Sequence, residues 1–121
     1  MIKTSELIWQ DTQHQILFRL IDQIKEEPFD YEILVKLHLY AEHHFSLEEA
    51  YMAKLDYPDT EAHMRAHNRF REELSALIET EENMDSALRE ALSLFLSKWL
   101  KLHVFGIDKQ FEAFVLASKA K

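Results

Sequence analysis

The sequence predicts an all-α protein: an up-down-up-down four-helix bundle with a short N-terminal arm and a short C-terminal helix. Three observations point there. The 121 residues hold one glycine and two prolines, too few turn formers for a sandwich or barrel. Hydrophobic residues make up 47% of the chain, which argues against disorder and supplies a core. In four segments the apolar residues recur at alternating intervals of three and four, the signature of a helix with one buried face. Helices of about 15–25 residues joined by short turns pack antiparallel to their neighbours. The length prior makes residues 1–121 one domain, and no repeat, low-complexity segment or linker divides it.

Residues 1–10 read as the arm, with Leu7, Ile8 and Trp9 as an apolar knot ahead of the first helix. Asp11 or Thr12 can cap that helix, with Gln15 completing a Thr-x-x-Gln box. Its stripe is His14, Leu17, Phe18, Ile21 and Ile24, and Pro28 should stop it at Glu27. Asp30 is a suitable N-cap for the second helix, whose inner face reads Leu34, Leu37, Ala41, His44, Glu48, Met52 and Leu55 until Tyr57-Pro58-Asp59 ends it. The third helix starts near Asp59 or Thr60, turns His63, His67, Phe70, Leu74 and Leu77 inward, and ends in the polar run 79–83. Asp85 caps the fourth, which carries Leu88, Leu92, Phe95, Leu96, Trp99 and His103. Asp108 follows His103 by five residues, a spacing that does not stack the two on a regular helix. A break at Gly106, with Asp108 near the start of a helix from Lys109 to about Lys119, re-aims that carboxylate inward.

The net charge of −8 with histidine neutral disfavours nucleic acid and anionic membranes as partners, since both select basic patches. The absence of cysteine excludes disulfides, thiolate catalysis and iron–sulfur ligation, and leaves the redox compartment unread. No apolar run suits a signal peptide or a transmembrane span, so a cytoplasmic protein is the default expectation. Oligomeric state has no signature in the sequence.

Each helix puts imidazole or carboxylate into its apolar stripe: His14; His44 with Glu48; His63 with His67; His103, followed by Asp108. A lone histidine on an apolar face is more often a satisfied core residue, and a lone His-x-x-x-His is often accidental. Seven such groups converging on one small core cannot all be left uncompensated, because burying unpaired charge costs several kcal/mol or more. Metal ions are the natural compensation, and neutral imidazole with carboxylate suits iron among first-row metals. Five nitrogens and two carboxylates exceed the needs of one ion and of a zinc site. They suffice for two six-coordinate ions if both carboxylates and one exogenous oxygen bridge, leaving one position open. Di-iron oxidases use Glu-x-x-His pairs, and no glutamate here has a histidine three residues later. His38 and His43 sit beside the stripe and read as surface or boundary residues.

These motifs resemble the hemerythrin family, in particular its bacterial members. Trp9-x-Asp11-x-x-His14 is similar to the first-helix signature and His44-Phe45-x-x-Glu48-Glu49-x-x-Met52 to the second. Tyr57-Pro58 with His63-x-x-x-His67-x-x-Phe70 resembles the third, and Trp99-Leu100-x-x-His103-Val104-x-x-x-Asp108 the fourth. The resemblance implies a non-haem di-iron centre with an oxo or hydroxo bridge. One iron would take His63, His67 and His103. The other would take His14 and His44 and keep the open position, and Glu48 and Asp108 would bridge. It also implies an oxygen pocket walled by Leu17, Phe45, Trp99, Leu100 and Val104, which keeps water and protons out. Dioxygen is taken up in this family with one electron from each iron and the proton of the bridge, so no side chain need act as acid or base. Relatives commonly have a longer arm; Trp9 lies only five residues before His14. The shorter arm leads us to expect a more open site that binds small anions readily and autoxidises faster.

The leading functional expectation is reversible dioxygen binding for transport, storage or delivery. A module that senses oxygen or redox state through a protein partner is the second reading, weakened because the chain ends at Lys121 without an output domain. A peroxide- or nitric-oxide-consuming enzyme is third, disfavoured by the missing Glu-x-x-His pairs.

Overall fold

The computed structural model describes residues 3–79 and 85–118, without the side chains of Leu77 and Ile78. Its helices are α1 (Ile8–Gln23), α2 (Glu32–Leu55), α3 (Thr60–Glu79), α4 (Ser86–Val104) and α5 (Ile107–Ala117). Helix α1 packs against α2 and α4, α2 also packs against α3, and α5 packs against α4. The architecture is an all-α four-helix bundle, with no strand among the described residues. No helix among them is long and apolar enough to cross a membrane.

Helix α1 begins four residues earlier than a cap at Asp11 would allow, at Ile8 rather than Thr12. Leu7 is its N-cap and makes no side-chain cap. The Asp11 carboxylate is occupied elsewhere: Oδ1 accepts the Thr4 N–H at 2.7 Å and the Thr4 hydroxyl at 2.8 Å. Gln15 donates to the same oxygen at 3.3 Å, as an i,i+4 pair inside the helix rather than a capping box. The apolar knot does not form as one unit. Leu7 is buried, Ile8 is 82% exposed, and Trp9 stacks on Tyr51 with ring centroids 5.1 Å apart.

The helix also ends earlier, at Gln23. The amides of Ile24, Lys25 and Glu26 bond to carbonyls three residues back, at 3.2, 3.3 and 3.2 Å, a tightened last turn. Arg89 of α4 caps this end. Its guanidinium donates to Ile24 O at 3.5 Å, Glu26 O at 3.1 Å and Glu27 Oε1 at 2.6 Å, and it lies over the Phe29 ring. Ser93 donates to Ile21 O at 2.9 Å. Orphan carbonyls at a buried helix end need donors, so Arg89 and Ser93 take inward positions. This turns the face of α4. Leu88 and Phe95 are exposed, and the buried apolar side chains are Leu92, Leu96, Leu100 and Val104.

The inner face of α2 is buried as the periodicity predicts, with Leu55 half-buried. Asp30 Oδ1 accepts the Glu32 N–H at 2.9 Å, and Asp56, in the left-handed region at φ 53, ends the helix. On α3, His63, His67, Phe70 and Leu74 are buried; the Leu77 side chain and residues 80–83 lie outside the described residues. Asp85 caps α4 by accepting the Leu88 N–H at 2.8 Å. Gly106 breaks α4 from α5, which starts at Ile107, two residues before the predicted point. A Cβ at Gly106 would stand 2.6 Å from Leu102 O, so any other residue would force the joint to open.

Two apolar clusters form among the described residues. The larger gathers Leu17, Ile21, Leu37, Phe45, Leu74, Leu96, Leu100 and Val104, among others. The smaller holds Leu7, Met52, Tyr57, Phe111 and Val115. Buried imidazoles touch both: His67 stacks on Phe45 at 4.0 Å, while His63 meets Tyr57 and Phe111 edge-on at 6.4 and 5.7 Å.

Candidate metal centre

Five elements bring the seven candidate ligands together. Helix α1 supplies His14, α2 supplies His44 and Glu48 one turn apart, α3 supplies His63 and His67 one turn apart, α4 supplies His103, and the first turn of α5 supplies Asp108. All seven are buried; His14, Glu48, His63, His67 and Asp108 have no exposure. Their donor atoms fall into two overlapping groups. Glu48, His63, His67, His103 and Asp108 form one; His14, His44, Glu48 and Asp108 form the other. Within each group the atoms lie inside 4.8 Å of one another.

The two shared carboxylates sit between the rings. Asp108 Oδ1 is 2.8 Å from His63 Nε2 and 3.0 Å from His103 Nε2, and Oδ2 is 3.1 Å from His14 Nε2. Glu48 Oε1 is 3.0 Å from His67 Nε2 and 3.5 Å from His63 Nε2, and Oε2 is 3.4 Å from His44 Nε2. Despite this proximity, Nε2 of His14, His63, His67 and His103, Glu48 Oε1 and both Asp108 oxygens have no hydrogen-bond partner. Buried polar atoms are rarely left so. Their contacts are short but misdirected, as expected of donors aimed at common points between them. Imidazole nitrogen and carboxylate oxygen are the donor set of a first-row transition metal, so these residues fit a metal centre.

The electrostatics agree. Burial works against charge on His63, yet the Asp108 and Glu48 carboxylates hold its pKa up at about 9. Burial and Glu48 push Asp108 upward, but His103 and His14 hold it below the usual carboxylate range. Burial opposes ionisation of Glu48 too, and His44, His63 and His67 keep it well below its ordinary value. At His103 burial prevails and the pKa falls. The carboxylates thus stay anionic, and a bound cation would replace the protons that balance them.

The outer contacts were largely missed from sequence. His44 Nδ1 donates to Gln13 Oε1 at 2.7 Å and His67 Nδ1 to Glu49 Oε2 at 2.9 Å, which leaves each Nε2 free to face the cluster. Arg71 ties Glu49 to Glu42, at 3.0 and 2.8 Å, and covers the Phe45 ring. Gln13 and Glu49 each adjoin a recognised candidate, which was the available signal. Thr4, 3.0 Å from His14 Nδ1, and Gln10, which donates to Glu48 Oε2 at 2.7 Å, had none.

Of the five expected pocket walls, Leu17, Phe45, Leu100 and Val104 are buried and Trp99 is half-buried, all in the larger apolar cluster. Trp99 stacks on His103 at 4.9 Å. His38 is half-buried and His43 exposed, and neither joins the donor groups. The arm does not leave its end of the bundle bare: Thr4, Ser5 and Leu7 are 3%, 2% and 5% exposed. The expectation of a more open site therefore loses its premise, because the short arm folds onto the cluster.

Residues 8–115 match the family profile described as Hemerythrin HHE cation binding domain. A myohemerythrin of Theromyzon tessulatum is 30% identical over 112 residues, covering 91% of this chain and 88% of its own. A myohemerythrin of Riftia pachyptila is 29% identical over 84% of this chain and 79% of its own. A bacteriohemerythrin of Clostridium acetobutylicum is 29% identical over 84% and 87%. No solved structure matches significantly. With the profile spanning most of the chain and the buried histidine–carboxylate cluster lying inside it, this protein belongs to the hemerythrin family.

Proposed function

We propose that the chain is a single di-iron domain that binds dioxygen reversibly, as a carrier or store. In this reading His63, His67 and His103 would hold one iron, His14 and His44 would hold the other, and Glu48 and Asp108 would be shared between them. The observation that carries it is the sharing of those two carboxylates by both donor groups: a pair of ions needs bridging anions, and a single ion does not. The bound pair, with an oxo or hydroxo bridge, would supply two electrons and an open coordination position for dioxygen. The protein's part is to orient the imidazoles through Gln13 and Glu49 and to keep water away with Leu17, Phe45, Trp99, Leu100 and Val104. These five side chains carry no acid or base, which supports binding over catalysis.

The test is a visible spectrum of the anaerobic ferrous protein, then in air, then under argon. A colourless protein that gains a charge-transfer band in air and bleaches under argon is the expected result. A band that argon cannot reverse would overturn reversible binding, and failure to take up two irons per chain would overturn the di-iron centre.

A further inference from the structure

We propose that residues 4–6 of the arm form a positioning clasp for the metal centre, coupling arm docking to metal retention in the His14–His44 half. The proposal rests on the di-iron reading above. Three consecutive residues each reach a different supporting group. Thr4 Oγ1 lies 3.0 Å from His14 Nδ1 and 2.8 Å from Asp11 Oδ1. Ser5 Oγ donates to Gln10 Oε1 at 2.7 Å, and Gln10 Nε2 donates to Glu48 Oε2 at 2.7 Å. The Glu6 N–H donates to Glu112 Oε2 at 3.3 Å, and Glu112 stands one turn beyond Asp108 on α5. The arm thus touches His14 directly and reaches Glu48 through Gln10, two of the four donors in one group, while its bond to Glu112 ties it to α5, the helix that carries Asp108.

The hydrogen-bond directions follow from the chemistry. If Nε2 of His14 faces a metal, Nδ1 carries the proton and donates to Thr4 Oγ1. The Thr4 hydroxyl must then spend its own proton on the Asp11 carboxylate, which can only accept. Asp11 also accepts the Thr4 N–H at 2.7 Å, so it fixes both the backbone and the hydroxyl of the residue that orients His14. Ser5 works similarly. By donating to Gln10 Oε1 while accepting the Leu7 N–H at 3.0 Å, it turns the Gln10 amide so that its NH₂ faces Glu48. Thr4, Ser5 and Gln10 are at most 3% exposed, so water does not substitute for these bonds. Binding linkage is reciprocal: an arm that orients His14 favours the metal, and the metal favours the docked arm.

The experiment uses the full chain with ferrous ion under nitrogen. Wild type, Thr4→Val and Thr4→Ser are loaded, and iron release to a ferrous chelator is followed together with backbone amide exchange of residues 4–7. Valine keeps the shape and removes the hydroxyl; serine restores it. The expected result is that Thr4→Val releases one iron about 10–100-fold faster than wild type and the other unchanged. Thr4→Ser should behave as wild type, and iron loading should slow arm exchange in wild type more than in Thr4→Val. Equal release of both irons in Thr4→Val, no rescue by serine, or arm exchange indifferent to iron would overturn the clasp. Should Thr4→Val fail to fold, Ser5→Ala, with Ser5→Thr to restore the hydroxyl, is read through Gln10 and Glu48. Because both donor groups share Glu48, faster iron release from Ser5→Ala, rescued by Ser5→Thr, and weaker slowing of arm exchange by iron are expected, and release and exchange like wild type would overturn the clasp. A wild-type chain that takes up no ferrous ion removes the di-iron reading and the clasp with it. Two irons in wild type with indifferent variants removes the clasp alone.

Discussion

Replacing Gly106 with alanine should loosen the metal centre from a distance. The φ of Gly106 is −114, open to any residue, so the argument is one of space alone. The new Cβ would meet Leu102 O at 2.6 Å. Relief requires the joint between α4 and α5 to open by about 0.4 Å to clear the worst overlap and about 0.8 Å for ordinary contact. Asp108 is two residues on, with Oδ1 held 2.8 Å from His63 and 3.0 Å from His103. Functional constellations tolerate displacements of only about 0.5 Å, so the shift is as large as the margin. The steric cost is about 1–3 kcal/mol, a fall in melting temperature on the order of 5–10 °C for a domain of this size. Iron affinity should drop about 10–100-fold, as when ligand orientation is disturbed. Thermal melting with and without iron, together with chelator competition, measures both. If Gly106→Ala melts lower but holds iron as wild type does, the joint does not aim Asp108. If neither quantity moves, the steric premise itself is wrong.

Other perturbations separate the site from its scaffold. Glu49→Ala strands the His67 Nδ1 proton and frees one side of Arg71; chelator competition should show iron affinity about 10–100-fold lower, and unchanged affinity would deny Glu49 an orienting role. Arg89→Ala leaves the buried Ile24 carbonyl at the end of α1 without its donor, while the carbonyl of exposed Glu26 can turn to water; it should cost about 1–3 kcal/mol in urea unfolding without altering the spectrum of the iron-loaded protein. In protein stripped by a chelator, the raised pKa of His63, about 9 against 6.5 unfolded, stabilises the fold fully below pH 6.5 and is lost as pH rises through about 9. The melting temperature of the stripped protein should therefore decline across that window while that of the loaded protein stays level, and parallel curves would refute the linkage.

The sequence was most legible where an expensive residue stands in an apolar stripe. His44, Glu48, His63 and His67 were readable because helical spacing sets each pair on one face, and the structure buries all four. Asp108 was readable through Gly106, since only a chain break could turn it toward His103. The legible positions share a local rule: period, cap or breaker. What stayed hidden depends on partners far along the chain. Arg89 owes its buried place on α4 to the carbonyls of Ile24 and Glu26, and the same contact turns Leu88 and Phe95 outward. The start of α1 was misread because Asp11 appeared as a cap, when its carboxylate is committed to Thr4. Gln10 carries no period or motif that would mark it as a neighbour of Glu48. Such contacts are products of packing, and no window of neighbouring residues contains them.

His14 on α1 and Asp108 on α5 meet at 3.1 Å. Anything that holds both closes all the chain between them into a ring. For a covalent cross-link of about 100 residues, the lost freedom of the unfolded chain corresponds to roughly 4–5 kcal/mol, and a tightly bound ion acts in the same sense while it stays attached. Unfolding with the ion still attached would keep this constraint on the open chain, so the lifetime of the occupied fold would depend on ligand exchange as well as on the hydrophobic core.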